Sequence, residues 1–240
     1  MQGPAHLVLS WFVGEAAGLK TPKGRRIVAL SGLAPDIDAV AYPAAYFYFG
    51  FDLDRAYSDV WQVVHHRYTH GVGFVLLTGI IAWWIAGRRP AKRADSVSAL
   101  TAAQDSATKV AALAMLTSML HVSFDLIAAG PGWPVYPLWP LMDTAWGMPW
   151  SWNVSDWPNI TITIGCLVAM LIYAKVAGYS VAESISYRLD NWMTRIIQTG
   201  SDAGGVATES SRRARTLRIV IFASLILVTI AIVTPLLLQA

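Results

Sequence analysis

Six apolar stretches divide this sequence, and they constrain its fold more than any other feature. They fall at about residues 5–19, 27–50, 72–87, 108–129, 159–179 and 216–238. With 55% hydrophobic and 14% charged residues, the chain is too apolar for an ordinary soluble domain. A bilayer-spanning helix needs roughly 20 apolar residues, and most of these stretches reach or approach that length. The sequence therefore predicts an all-α fold, a polytopic membrane helical bundle of about six transmembrane helices.

The basic residues indicate how this bundle is oriented. With six crossings, only Arg55 and Arg67 of the eighteen Lys and Arg residues fall on one side of the membrane. Because membrane proteins keep their Lys and Arg in cytoplasmic loops, we predict that the other, basic side is cytoplasmic. The net charge of +3 thus reflects topology, and no basic stripe with spaced aromatic residues indicates a nucleic-acid partner.

Histidines and aspartates occur together at the ends of several predicted helices. All five histidines lie within the first 121 residues, three of them in "HHRYTHG" at 65–71. His66 and His70 are four residues apart, as are His121 and Asp125, and on a helix this spacing places both side chains on one face. In "LAPDID", Pro35 interrupts a helix beside Asp36 and Asp38.

Counting at about 1.5 Å per residue from the nearest cytoplasmic basic residue places these groups at overlapping depths, in the outer half of the membrane. Each ionisable group there costs about 2.5–3.5 kcal/mol on insertion scales, so a cation must offset the charge. A mixed imidazole and carboxylate set without thiolates favours Zn, with Mn or Fe possible, as one or two divalent ions. The predicted ligands are His6, Asp36, Asp38, His66, His70, His121 and Asp125, with His65 as the alternative to His66.

The chain divides near residue 158. We predict a metal-site membrane domain at 1–158, with a Trp- and Pro-rich outer loop at 130–158, and two C-terminal transmembrane helices at 159–240 joined by a basic cytoplasmic segment. The outer loop is either a lid over the site or an aromatic belt. Residues 181–198 predict an amphipathic cytoplasmic helix, on the membrane surface or packed against the protein. Its apolar stripe is Ile185, Leu189, Trp192, Met193 and Ile196.

The order of these motifs resembles a known family. "AHLVLS", "LAPDID", "HHRYTHG" and "HVSFDLIAAGPGWPVYPLWP" follow one another over roughly residues 4–145, as in the YdjM-like membrane-bound metal-dependent hydrolases of bacterial inner membranes. The family's usual form resembles H-R-G-x-T-H-S, whereas here Arg67 is followed directly by "YTH". Matching the His-Arg pair assigns His66 as ligand, and counting back from Thr69 assigns His65. The pattern is also, more loosely, similar to zinc-dependent phospholipase C.

This resemblance implies an inner-membrane hydrolase with its site facing the periplasm. We expect metal-activated water to cleave a phosphoester or other ester of a membrane lipid or lipid-linked substrate. The expected catalytic residues are Asp36 or Asp38 as proton acceptor and Arg67 as the partner of an anionic substrate.

Two other functions fit parts of the pattern. "HHRYTH" resembles a histidine box of membrane di-iron oxidases, such as hydroxylases and desaturases, although five histidines are few for such a site. Membrane histidines and carboxylates also occur in metal and proton transporters, although the predicted cytoplasmic half offers little matching polar path.

Overall fold

The computed structural model describes residues 1–88 and 105–198. Seven α-helices of eight or more residues are found in these ranges: α1 Gly3–Ala16, α2 Pro22–Leu33, α3 Ala41–Tyr48, α4 Val72–Gly87, α5 Ala107–Ala128, α6 Trp157–Ala177 and α7 Tyr187–Gln198. The described residues form no strand, and only an isolated bridge links Val135 to Trp146. The prediction of a helical fold is confirmed for this part of the chain.

The predicted second apolar helix, at about 27–50, is broken. It begins as α2, capped by the Thr21 side chain, which accepts a hydrogen bond from Gly24 N. It continues as a 3-10 helix at Ala34–Val40 and resumes as α3. The Pro35 ring lies at the start of the 3-10 turn, where its missing N–H costs nothing, and it prevents the α-helix from running through. The predicted interruption is confirmed, and a single continuous helix over 27–50 is wrong.

Two of the described helices, α5 and α6, are long and apolar enough to cross a membrane, and α4 is a shorter apolar helix. The predicted count of about six spans is therefore not reached among these residues. The first and third predicted stretches form helices of 14 and 16 residues, and the stretch at 216–238 lies outside the described residues. The bounds of α4, α5 and α6 agree closely with the predicted stretches at 72–87, 108–129 and 159–179.

Aromatic packing holds α1 against α6. Trp11 and Phe12 of α1 and Tyr173 of α6 are almost fully buried. The Trp11 and Tyr173 rings meet edge to face, with 5.3 Å between their centroids. Such contacts add about 0.5–1.5 kcal/mol to the burial of each pair. This core fixes α1, which carries His6 towards one end and Glu15 towards the other.

A group of polar side chains lies near the C-terminal end of α1, and we call it the Arg25 cluster. It consists of Glu15, Arg25, Glu183 and the phenols of Tyr173 and Tyr179. Arg25 donates to both carboxylate oxygens of Glu183, over 2.5 and 2.8 Å, and its Nε lies 2.9 Å from Glu15 Oε1. Both phenols donate to Glu15 Oε2. The cluster thereby joins α1 and α2 to the 3-10 turn Val181–Ser184, which leads into α7.

Candidate metal centre

Asp36 and Asp38 are presented by the 3-10 helix that interrupts the second apolar stretch. Asp38 is buried, and the Asp36 side chain is 26% exposed. Because a 3-10 helix has three residues per turn, residues two apart point in different directions, and the two carboxylates take different partners. Asp36 faces the imidazoles of His70 and His121, whereas Asp38 faces the 65–70 segment.

His121 and Asp125 lie one turn apart on α5, as their spacing predicts. His121 Nε2 is 3.0 Å from Asp125 Oδ2, and both side chains are buried. The other ring nitrogen, His121 Nδ1, donates to the carbonyl oxygen of Gly32 over 2.7 Å. With its proton on Nδ1, the imidazole presents the Nε2 lone pair to the cluster, which is the arrangement usual for metal-ligating histidines.

The histidine segment 65–71 is not helical, in contrast to the prediction for His66 and His70. The preceding helical turn ends at Val64, α4 begins at Val72, and His66 adopts a left-handed backbone with φ of 67°. The two imidazoles are nevertheless close, with ring centroids 4.6 Å apart, because the chain reverses between them. The expected stacking on one helical face is therefore wrong. Left-handed non-glycine residues are uncommon and concentrate at functional sites.

Four side chains converge so that one atom of each could bind the same ion. They are Asp36, His70, His121 and Asp125, and their candidate ligand atoms all lie within 4.8 Å of one another. The measured separations, all involving the Nε2 atom of His70 or His121, run from 3.0 to 3.9 Å. Ligands about 2.0–2.1 Å from a tetrahedral zinc ion lie about 3.3 Å apart. The cluster fits a four-coordinate divalent ion, and we call it the metal cluster.

A second layer of hydrogen bonds orients His70. Its Nδ1 lies 3.4 Å from Asp38 Oδ2 and 3.2 Å from the Thr69 hydroxyl. The same Asp38 oxygen accepts hydrogen bonds from Thr69 Oγ1 and from the backbone N–H of His66. A carboxylate on the far side of a ligating imidazole fixes the ring and raises its basicity. Asp38, predicted as a ligand, therefore lies behind His70 rather than within the group of four.

The remaining predicted ligands border the metal cluster. His6 stacks on His121 with 3.7 Å between ring centroids, and its Nε2 is 3.3 Å from Asp125 Oδ1. His66 Nε2 is 3.9 Å from Asp125 Oδ2, and its buried Nδ1 has no hydrogen-bond partner among residues 1–88 and 105–198. His65 instead bonds Asp38 Oδ1 over 2.8 Å. Of the alternatives left open by the sequence, His66 is the one that lies beside the group of four.

The sequence as a whole shows which protein family the chain belongs to. The sequence matches the family model of the YdjM inner membrane protein over residues 1–235. The chain belongs to the YdjM inner membrane protein family. No curated protein and no solved structure matches it. The expected YdjM resemblance is thus confirmed and extends beyond residues 4–145, whereas the looser similarity to zinc-dependent phospholipase C finds no support.

In this YdjM family protein the Trp- and Pro-rich loop is attached directly to the histidine segment. Tyr136 N donates to the carbonyl oxygen of His66, and Val72 N donates to that of Pro137. Arg67, predicted to meet substrate, pairs with Asp143 of the loop over 2.5 Å, and its guanidinium lies 5.2 Å from the Tyr136 ring centroid. The loop therefore covers the side of the site formed by residues 65–71.

Two residues that support the metal cluster could not be singled out from the sequence. The Thr69 hydroxyl bridges Asp38 and His70, but a lone threonine carries no distinctive signal. Gly32 supplies the carbonyl that orients His121, and a Cβ placed there would lie 2.5 Å from the Cβ of Ser10 on α1. Only glycine permits this approach of α1 and α2. In the sequence, the small size of Ser10 and Gly32 is a weak indication of this close contact between the two helices.

Proposed function

We propose that this protein is a membrane-embedded metal-dependent hydrolase that acts on a phosphoester or other ester of a lipid or lipid-linked substrate. The observation that carries the proposal is the convergence of two imidazoles and two carboxylates with ligand atoms within 4.8 Å of one another. Such a set, without thiolates, favours Zn, with Mn or Fe as alternatives. Membership of an inner membrane protein family supports the membrane location.

The proposed topology has about six crossings, with the basic connections in the cytoplasm and the metal cluster towards the periplasm. Lys20, Lys23 and Arg26 border the end of the bundle that holds the Arg25 cluster, in support of this orientation. The broken α2–α3 region would then lie within the protein at the level of the site, where freed backbone groups can be satisfied.

The metal cluster would be held by Asp36, His70, His121 and Asp125. An ion bound there would lower the pKa of a coordinated water towards about 7 and polarise the scissile phosphoryl or carbonyl group. Asp38 is engaged by Thr69 and His65 through both oxygens, which leaves Asp36 as the better proton acceptor of the two. Asp36 faces the imidazoles through Oδ1 and is partly exposed, so Oδ2 remains to take a proton from water.

The surroundings of Asp36 support an apolar substrate. A groove of about 450 Å³ begins beside this carboxylate and is otherwise lined by Leu30, Leu33, Ala34 and Ile37. An acyl or polyprenyl chain in the groove would bring an ester near the partly exposed side of the metal cluster. Arg67 follows His66 in the chain and pairs with Asp143, and exchange of Asp143 for an anionic headgroup would make its guanidinium a partner of the substrate.

The test compares metal content and hydrolysis in purified full-length protein. We expect Asp125→Ala and His121→Ala to lose bound metal, measured by elemental analysis, and hydrolysis of phospholipid and lipid-linked phosphoester substrates in mixed micelles. Asp54→Ala removes an exposed carboxylate elsewhere and should retain both. A metal-free Asp125→Ala protein that remains fully active would refute the proposal.

The identity of the bound metal also separates the hydrolase from the oxidase alternative. Zinc without visible absorbance agrees with hydrolysis, because zinc has no redox chemistry. A pair of iron ions with visible absorbance and oxygen-dependent turnover would instead favour the membrane di-iron oxidase. Flux of metal into reconstituted vesicles, absent from protein-free vesicles, would favour transport.

A further inference from the structure

Helix α7 packs against the fold through a buried polar side and through Met193, which contacts the hydrophobic core. Asp190 and Thr194 are only 5% exposed, whereas Trp192 is 62% exposed and Ile185, just before the helix, is 66% exposed. Ser180 donates to Asp190 Oδ1 from both its backbone N–H and its hydroxyl, over 2.7 Å each. A helix that only completed the core would bury the opposite face. The polar contacts hold α7 in place while they turn its apolar side outward.

The outward face has a defined arrangement of apolar and basic residues. At 100° per residue, the side chains of Leu189, Trp192 and Ile196 fall within an arc of about 60°, and Ile185 is exposed just before the helix. Arg188 and Arg195, both exposed, follow one another along one edge of this arc. Asp190 and Thr194 lie on the opposite side, against the protein. Apolar residues with arginines at their border are the pattern of helices that lie in a lipid interface.

The ends of α7 show that it lies across one end of the helical bundle. At its start, the Tyr187 ring centroid is 5.0 Å from the Arg26 guanidinium, near the beginning of α2. At its end, Gln198 approaches Gly178, the residue that ends α6 with a left-handed φ of 77°, and a Cβ there would lie 3.2 Å from Gln198 Nε2. Because α6 is a candidate membrane span, the end of α7 lies beside the point where this span would leave the bilayer.

We propose that α7 is an interfacial helix whose apolar arc enters an anionic lipid surface at the basic end of the bundle. Trp192 and Ile185 lie among the upper acyl groups, and Arg188 and Arg195 meet lipid phosphates at the edge of the arc. The attraction of basic residues to anionic lipids gives this partner its charge complementarity. The inference does not depend on the metal cluster or on hydrolysis, and it chooses the membrane surface between the two roles that the sequence left open for this helix.

A spin label at single cysteines in the full-length protein tests this placement. The one native cysteine, Cys166, is fully buried and is replaced by alanine. Labels at Trp192→Cys and, as an independent site, Ile185→Cys are compared with Asn191→Cys, an exposed polar position on the same helix. The protein is reconstituted into vesicles of phosphatidylcholine, with or without phosphatidylglycerol, and collisions with oxygen and with a water-soluble nickel chelate are measured.

We expect the labels at 192 and 185 to collide more with oxygen than with the nickel chelate, and the label at 191 to show the reverse order. Phosphatidylglycerol should strengthen this contrast, and the double change Arg188→Gln, Arg195→Gln should remove the strengthening. Equal access of nickel to positions 192 and 191 would overturn the proposal.

Exclusion of both reagents from position 192 would also overturn it, because another protein surface would then cover the arc. Dipolar broadening between labels would identify that surface as a second copy of the chain. Its absence would assign the cover to a part of the same chain outside residues 1–88 and 105–198.

Discussion

Two groups of buried carboxylates lie towards opposite ends of α1, and the chain neutralises them in different ways. The Arg25 cluster places one guanidinium between Glu15 and Glu183. At the metal cluster, the basic partners of Asp36 and Asp125 within residues 1–88 and 105–198 are histidines and the amino group of Met1. An arginine supplies a permanent charge, whereas neutral imidazoles supply lone pairs.

The comparison separates a structural role from a ligand-binding role. A guanidinium that fills the space between two carboxylates leaves no room for an external cation and fastens three segments together. Imidazoles whose Nε2 atoms face two carboxylates provide ligands for a cation that comes from solution. Each site combines carboxylates with basic side chains, so the chemistry of the basic partner is what distinguishes the two sites.

The largest effect is expected from removal of the guanidinium. Arg25→Met removes the guanidinium that neutralises the buried Glu15 and Glu183, which should lower the free energy of unfolding by about 3–5 kcal/mol. The matched control is Arg55→Met, because Arg55 is 59% exposed in its ion pair with Asp59, and exposed pairs contribute about 0–1 kcal/mol. Unfolding midpoints in detergent provide the measurement, and equal losses for the two variants would contradict a structural role for the Arg25 cluster.

A second prediction concerns stabilisation by metal. Ion binding to the folded state alone stabilises it by about 2.7 kcal/mol when the free ion is at 100 times its dissociation constant. We expect zinc to raise the unfolding midpoint of the chelator-treated wild type and to leave that of Asp125→Asn unchanged. Glu15→Gln, which alters the Arg25 cluster, should start from a lower midpoint and still respond to zinc. A zinc response in Asp125→Asn as large as in wild type would contradict the assignment of this ligand.

A smaller effect should distinguish the support of His70 from the ligands themselves. Asp38→Asn keeps the shape of the side chain but weakens the bond that orients His70, so metal affinity should fall about 10–100-fold, with binding retained. Competition with a zinc-sensitive chelator measures the change. Loss of all binding would place Asp38 among the ligands, as the sequence first predicted.

Sequence patterns predicted which residues form the site better than they predicted how those residues are arranged within it. The spacing of His121 and Asp125 was decisive because both lie on one regular helix, where four residues bring side chains together. The same reasoning failed for His66 and His70, because the chain between α4 and the preceding turn reverses with a left-handed residue. Spacing predicts contacts only where the backbone is regular.

The Arg25 cluster was not predicted from the sequence. Glu183 meets Arg25 and Trp11 over separations of 158 and 172 residues, and no local pattern encodes such distant contacts. Glu183 also lies in a short 3-10 turn rather than in a periodic helix. The bounds of α4, α5 and α6, by contrast, follow from local runs of apolar residues, so they could be predicted to within a few residues.

The smallest effect is expected at Asp105, a partly buried carboxylate that accepts hydrogen bonds at the start of α2. Partial burial raises its pKa, but hydrogen bonds from the Thr21 hydroxyl and from the backbone N–H groups of Lys20 and Thr21 outweigh burial, so the pKa lies below the usual value. A lowered folded-state pKa stabilises the protein above the unfolded-state pKa, and this stabilisation is lost as the pH falls through the folded-state value.

Asp105→Asn should therefore lower the free energy of unfolding by about 0.5–1 kcal/mol at neutral pH, since the group is largely solvated. The difference from wild type should shrink as the pH falls below about 4. Unfolding midpoints between about pH 7 and pH 3 measure it, with Asp54→Asn as the control for loss of an exposed charge. A difference that grows in acid would show that Asp105 stabilises the fold in its protonated form. A difference that instead shrinks in acid would show that the hydrogen bonds from Thr21 and Lys20, with the nearby charge of Lys109, stabilise the ionised carboxylate without the buried guanidinium that the Arg25 cluster uses.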